Sequence, residues 1–185
     1  GRIGARIGSF GTFSQNALVN GKIEKFNYQI TGSNEKSDGI SSAEGPDSFD
    51  KDGYEKQNIN TQFGVQLGKL NLNFNGGYQH HLYDFDNGAF SDGTYRGNDK
   101  QLFGGINAQF QYEKGNIIYN SRFSQNKREL KAPVNFSYET QLNYKGKNFF
   151  NEIYNQYIFS DNIKFIIGLS NEIQSLGSDK LPWNL

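Results

Sequence analysis

The chain has 185 residues, 19 basic and 19 acidic side chains, and no cysteine. Balanced charge without a basic cluster gives nucleic-acid binding no electrostatic support, and the absence of thiols excludes disulfides, zinc–thiolate centres and cysteine nucleophiles. No run approaches the roughly 20 apolar residues of a membrane helix; a membrane β-barrel stays open, because half of each strand faces a wet lumen.

Alternation begins at once. Ile3, Ala5 and Ile7 alternate with Gly4, Arg6 and Gly8. From Thr12 to Ile23, Phe13, Ala17 and Val19 oppose Ser14, Asn16, Asn20 and Lys22, with Leu18 out of pattern. Glu24-Lys25 is a short turn; Phe26, Tyr28 and Ile30 then oppose Asn27, Gln29, Thr31 and Ser33. The stretch SDGISSAEGPDSFDKDGY has the Gly, Ser, Asp and Pro content of a long loop. Ile59, Thr61, Phe63, Val65 and Leu67 oppose Asn60, Gln62, Gly64 and Gln66, and Gly68-Lys69 turns the chain again. Leu70 to Tyr83, LNLNFNGGYQHHLY, is the clearest strand: one parity is mostly apolar, the other an amide-rich face without Lys or Glu. A neutral amide face suits the lumen of a transmembrane barrel better than the charged, Thr-rich face of a soluble sheet.

A second long loop is expected from Asp84 to about Lys100. Leu102, Ile106, Ala108, Phe110 and Tyr112 then oppose Gln101, Asn107, Gln109 and Gln111. After a short turn at Glu113 to Gly115, Ile117, Tyr119 and Phe123 oppose Asn120, Arg122 and Ser124. A long link is expected from Asn126 to about Lys147, holding an alternating piece, Phe136 to Tyr144, that reads equally as a loop hairpin or as the outer end of a strand. A strand with mixed faces runs from Asn148 to Phe159, a turn from Ser160 to Asn162, and a last strand carries Ile163, Phe165, Ile167, Leu169 and Ile173 on one face.

Two regularities follow. The strands run about 10–13 residues, the length a tilted strand needs to cross a bilayer. Short and long links alternate, except that the first, Gly8 to Gly11, is tight; this is the pattern of an up-and-down membrane barrel with short periplasmic turns and long extracellular loops. Phe26, Tyr28, Tyr112, Tyr157, Phe159 and Phe165 lie beside the short turns, where an aromatic girdle belongs. About nine strands are expected. Bacterial single-chain barrels use even numbers, so the expectation is an all-β, antiparallel up-and-down transmembrane β-barrel segment cut from a wider barrel.

GSFGTF at Gly8 to Phe13, KFNYQITGSNEKSDG at Lys25 to Gly39, FDKDGYEKQNIN at Phe49 to Asn60 and DFDNGAF at Asp84 to Phe90 resemble TonB-dependent outer-membrane receptors, most closely the cobalamin-receptor-like branch. The resemblance implies a 22-stranded barrel, a plug domain, and energy from the inner-membrane TonB complex. Residues 1–185 would then be the N-terminal part of the barrel, without the plug and without the C-terminal strands. Its implied role is uptake of a large scarce nutrient, a corrinoid first and an iron-siderophore second, in the bacterial outer membrane. The partners would be outer-membrane lipid, the protein's own plug, the TonB complex and the nutrient ligand. Two rivals are a complete small outer-membrane barrel with an adhesive or structural role, and a soluble β-sandwich binding module.

The candidate sites lie in the long links. Phe49, Tyr54, Phe90 and Tyr95 could line a ligand mouth or pack the loops on one another. Asp47, Asp50, Asp52, Asp84, Asp86, Asp92 and Asp99 could supply carboxylates to calcium, which takes six to eight oxygens. Cobalamin receptors of this type use calcium to order the corresponding loops; the alternative is a set of solvated acidic turns. Asp50-Lys51-Asp52-Gly53 does not continue as an EF-hand, because its twelfth position is Ile59. His80 and His81 are adjacent strand residues on opposite faces and cannot chelate one metal without distortion. No nucleophile–histidine–acid set can be argued from spacing, so no enzyme is expected.

Overall fold

A computed structural model describes residues 1–45, 49–86, 88–131 and 142–178. These form nine strands: β1 (Arg2–Ile7), β2 (Phe13–Ile23), β3 (Phe26–Ile40), β4 (Asp52–Leu67), β5 (Leu70–Phe85), β6 (Tyr95–Tyr112), β7 (Gly115–Lys131), β8 (Leu142–Ser160) and β9 (Ile163–Ser178). Every strand pairs antiparallel with its sequence neighbours, giving one open sheet in the order β1 to β9. Two-residue turns close β2–β3, β4–β5, β6–β7 and β8–β9. Glu24 and Gly68 open their turns at φ 50° and 60°, the left-handed backbone that tight hairpins demand. The described residues contain no helix.

The cross-strand register carries the two sequence parities intact across the sheet. One face joins Ile30, Thr61, Gly76, Gly104, Phe123, Phe149 and Ile173 in one row, and Phe26, Val65, Leu72, Ala108, Tyr119, Ile153 and Leu169 in another. The other face joins Gly64, Asn73, Asn107, Asn120, Glu152 and Ser170. There the amides bond along the row: Asn73 Nδ2 to Asn107 Oδ1 (3.4 Å), Asn107 Nδ2 to Asn120 Oδ1 (2.7 Å) and Asn120 Nδ2 to Glu152 Oε2 (3.1 Å).

Neither face of the sheet is covered among the described residues. Among the described residues only Ala43 is a buried hydrophobic side chain, while Ile106 is 40% exposed and Leu169 79%. The accessible surface is 13385 Å², against roughly 9,000 Å² expected for a globular monomer of this mass. The apolar faces therefore do not meet in a core, as a β-sandwich requires. Nor do β1 and β9 pair with each other, as a closed small barrel requires. Aromatics cluster on the apolar face near the turns: Phe26 stacks on Tyr28 and on Phe63 with ring centroids 6.1 Å apart, and Phe159 meets Phe165 edge-on at 5.9 Å.

Register also fixes a stagger. The row through the closing pair Ile23–Phe26 reaches Val65 and Leu72, yet β4–β5 closes at Leu67–Leu70, one row further on. The same row passes Ala108, four residues short of the closing residue Tyr112. The step is one residue per strand. With about 3.4 Å per residue along a strand and about 4.8 Å between strands, turns kept level require a strand tilt of about 35°.

Strand length departs from expectation. β4 to β9 have 16 to 19 residues, because the strands continue into segments whose composition reads as loop. Asp52 and Tyr54 are on β4, Asp84 on β5, Tyr95 and Asp99 on β6, and Asn126 to Lys131 on β7, rather than in links. Backbone pairing is indifferent to side-chain polarity once the register is set lower down. Of the piece expected at Phe136 to Tyr144, Leu142 and Tyr144 open β8 and the rest lies outside the described residues.

Candidate ligand mouth

At the loop end of the amide face, β4, β5 and β6 carry an aromatic column. Tyr54 is opposite Tyr83, and Phe85 is opposite Tyr95. Alternation puts His81, Tyr83 and Phe85 on one face, and their rings follow one another: Tyr54–His81 at 6.3 Å, His81–Tyr83 at 4.8 Å, Tyr83–Phe85 at 5.8 Å and Phe85–Tyr95 at 5.5 Å. Gly97 makes this possible, since a Cβ there would collide with the Tyr83 ring. The Tyr54 hydroxyl donates to Glu35 Oε1 (2.8 Å), and the Lys56 ammonium lies 4.7 Å from the Tyr54 ring centroid.

Beside the column lies an open trough of about 810 Å³ lined by Gln79, His81, Asp99, Gln101, Arg128 and Tyr144. Its floor is polarised by a bidentate pair, Arg128 Nε to Asp99 Oδ1 (2.9 Å) and Arg128 Nη2 to Asp99 Oδ2 (2.7 Å). Aromatic faces flanked by fixed charges can hold a large ligand that is part planar and part polar.

The two long links are knitted together over this mouth. Asp86 Oδ2 accepts from the Ala43 amide (2.7 Å) and the Ser41 hydroxyl (3.4 Å), and Asp86 Oδ1 accepts from the Gly93 amide (3.0 Å). The Glu44 amide donates to the Ala89 carbonyl (2.7 Å), and the Asp50 amide to Asp92 Oδ1 (3.3 Å). Burial acts to raise the Asp86 pKa, but hydrogen bonds from the Gly93 and Ala43 amides, and then with Asp52 and Ser41, outweigh it and hold the carboxyl below the ordinary range. Asp50 is pushed up, by burial first and by Asp92 next.

Of the acidic residues named from sequence, Asp50, Asp86 and Asp92 come together, each offering an oxygen within 4.8 Å of the others. Asp84 is on the apolar face, paired with Arg96 (2.7 and 3.3 Å), and Asp99 is paired with Arg128 in the trough. Asp52 accepts from the Ser42 amide and hydroxyl; Asp47 lies outside the described residues. The trio fits a calcium site in part: Asp50 and Asp92 are exposed, while Asp86 already takes three donors, leaving most of six to eight ligands to loop carbonyls and water. Among the named aromatics, Tyr54 and Tyr95 join the column. Phe49 lies over Gly45 inside the first loop, and Phe90 is 75% exposed at the tip of the second. His80 points to the other face, its Nε2 2.8 Å from Asn98 Oδ1, so the two histidines do not converge.

Sequence reasoning passed over His81, Tyr83 and Phe85 as a ligand surface. Their signal was parity: His81 and Tyr83 continue the face of Asn73 and Asn75 within the expected strand, and Phe85 carries it past Asp84, where the loop was expected to begin. No family model matches the sequence, and no curated protein or solved structure matches it.

Proposed function

We propose that the chain is part of the wall of an outer-membrane β-barrel, that of a TonB-dependent receptor importing a large scarce nutrient, a corrinoid in first place and an iron-siderophore in second. The observation that carries this reading is the uncovered apolar face, backed by a hydrogen-bonded amide face. In water that arrangement forfeits the burial that drives folding; in a bilayer, with the amide face around a wet lumen, it gains it. The stagger supports it too, since a tilt of about 35° is what barrel closure requires. The open edges β1 and β9 take further strands of the same barrel, because lipid does not tolerate unpaired backbone.

In this reading the short turns face the periplasm and the long links the exterior. The aromatic column and the Asp99–Arg128 trough capture ligand at the mouth, and the knitted loops are a wall already ordered, which lowers the entropy cost of binding. Plug rearrangement and TonB coupling then complete transport outside this chain. The function is capture and transport, not catalysis.

The test uses the full-length protein. It should fractionate with the outer membrane, require detergent for extraction, and bind either a corrinoid or a ferric siderophore in equilibrium dialysis. The double substitution Tyr54→Ala with Tyr95→Ala should weaken binding about tenfold, on the scale of two aromatic contacts. Extraction without detergent, or binding of neither ligand class, would overturn the reading.

A further inference from the structure

Above its apolar band, the outward face of β6, β7 and β8 carries a run of like charges. Lys100 is opposite Lys127, and Lys127 is opposite Lys145; Lys147 lies one row below, opposite Gln125. On the same face Leu102 lies directly beneath Lys100, Phe149 beneath Lys147, and Phe123 beneath Gln125. Like charges directly opposite in a sheet are destabilising, and the same face shows the ordinary solution elsewhere, with Lys36 opposite Glu55 on β3 and β4. Among the described residues none of the four lysines is in an ion pair. The acidic neighbours on this face are already engaged. Glu129 Oε2 accepts from Asn98 Nδ2 (2.9 Å), and Asp84 is held by Arg96, which itself stands opposite Lys131.

Height identifies what meets the lysines. Lys100 and Lys127 are twelve residues above the closing pair Tyr112–Gly115, which at a tilt of about 35° is roughly 33 Å along the barrel axis. An apolar band about 25 Å tall ends below that level, and the next layer outward holds lipid headgroups. Lysine stems can lie along the band while their ammonium groups reach that layer. We propose that the outward face of β6–β8 is a binding site for phosphate groups of membrane lipid, with Lys100, Lys127, Lys145 and Lys147 as its cations. The proposal rests on the membrane reading above. A multiply phosphorylated headgroup is the complementary partner, because it relieves several lysine–lysine repulsions at once.

The experiment reconstitutes the full-length protein in vesicles of phosphatidylcholine, with and without bis-phosphorylated lipid A, and measures the lipid retained after detergent extraction. The parent should retain lipid A at least about tenfold above its share of the bulk lipid. The quadruple Lys100→Gln, Lys127→Gln, Lys145→Gln, Lys147→Gln should fall to the bulk ratio. A control removing charge at the opposite end, Lys69→Gln with Lys114→Gln, should match the parent. Lys127→Glu separates lipid binding from folding: it should lower lipid retention while raising the unfolding temperature in neutral detergent, because it places an anion between two lysines. Retention at the bulk ratio by the parent, undiminished retention by the quadruple, or a lower unfolding temperature for Lys127→Glu would overturn the site. Displacement by millimolar inorganic phosphate would assign the lysines to a free anion and overturn the lipid assignment. Failure to enter phosphatidylcholine vesicles at all removes the membrane reading, and this proposal with it; entry without lipid A preference removes this proposal alone.

Discussion

The stagger turns the sheet into a depth scale that can be tested with one side chain. Leu72, Ile106 and Leu102 share the apolar face, and they stand two, six and ten residues above their closing residues Leu70 and Tyr112. At about 3.4 Å per residue and a tilt of about 35°, these are heights of roughly 6, 17 and 28 Å. Ile106 is therefore near the middle of an apolar band about 25 Å tall, and the other two are near its edges. Ile106→Arg should cost about 2–4 kcal/mol, and Leu72→Arg and Leu102→Arg about 0–1 kcal/mol each. Asn107→Arg, on the amide face at nearly the same height as Ile106, should cost about 1 kcal/mol, from the bonds to Asn73 and Asn120 that a wet lumen partly replaces. The assay is denaturant-dependent folding of the full-length protein into phospholipid vesicles. Equal costs at the three apolar positions, or a cost for Asn107→Arg matching that of Ile106→Arg, would refute the assignment of faces and the depth scale built on the register.

Sidedness can be read by labelling intact cells: a thiol reagent should reach Ser42→Cys and Gly88→Cys in the long links but not Lys69→Cys in a short turn, and labelling of the last from outside would reverse the topology. Asp86→Asn should raise amide exchange at Ala43 and Gly93 together, because one carboxylate holds both; unchanged exchange at either would break the knot. The Asp86 carboxyl lies below its ordinary value, so its contribution is complete at neutral pH and is lost only as pH falls through that depressed value. Asp50 has the opposite sign: its raised pKa means that protonation on acidification relieves its repulsion with Asp92, so that part of the cluster tightens as pH falls. Millimolar calcium should do the same at neutral pH, slowing exchange at Asp50 in a chelator-reversible way that Asp92→Asn abolishes; no response to calcium would leave the acidic loops held by their hydrogen bonds through Asp86, Glu44 and Asp50.

What the sequence determined by itself is whatever depends on neighbours along the chain. Side chains in a strand alternate with period two, so Leu70 to Leu82 and Asn71 to Tyr83 separate into faces without knowledge of any partner. Two-residue turns also fix the pairing they close: once Gly68-Lys69 is the turn, Phe63 must stand opposite Phe74. Registers across the long links have no such local rule. That Lys127 meets Lys145, that Phe85 meets Tyr95, and that Asp86 reaches Ala43 across 43 residues were decided only when the whole sheet was assembled. The same holds for strand length. Asp84, Arg96, Asp99 and Arg128 read as loop because they are charged, but the ladder begun at the turns continues through them, and their charges then pair across it. The open sheet and its stagger belong to the tertiary structure alone, because the step of one residue per strand accumulates only over successive hairpins.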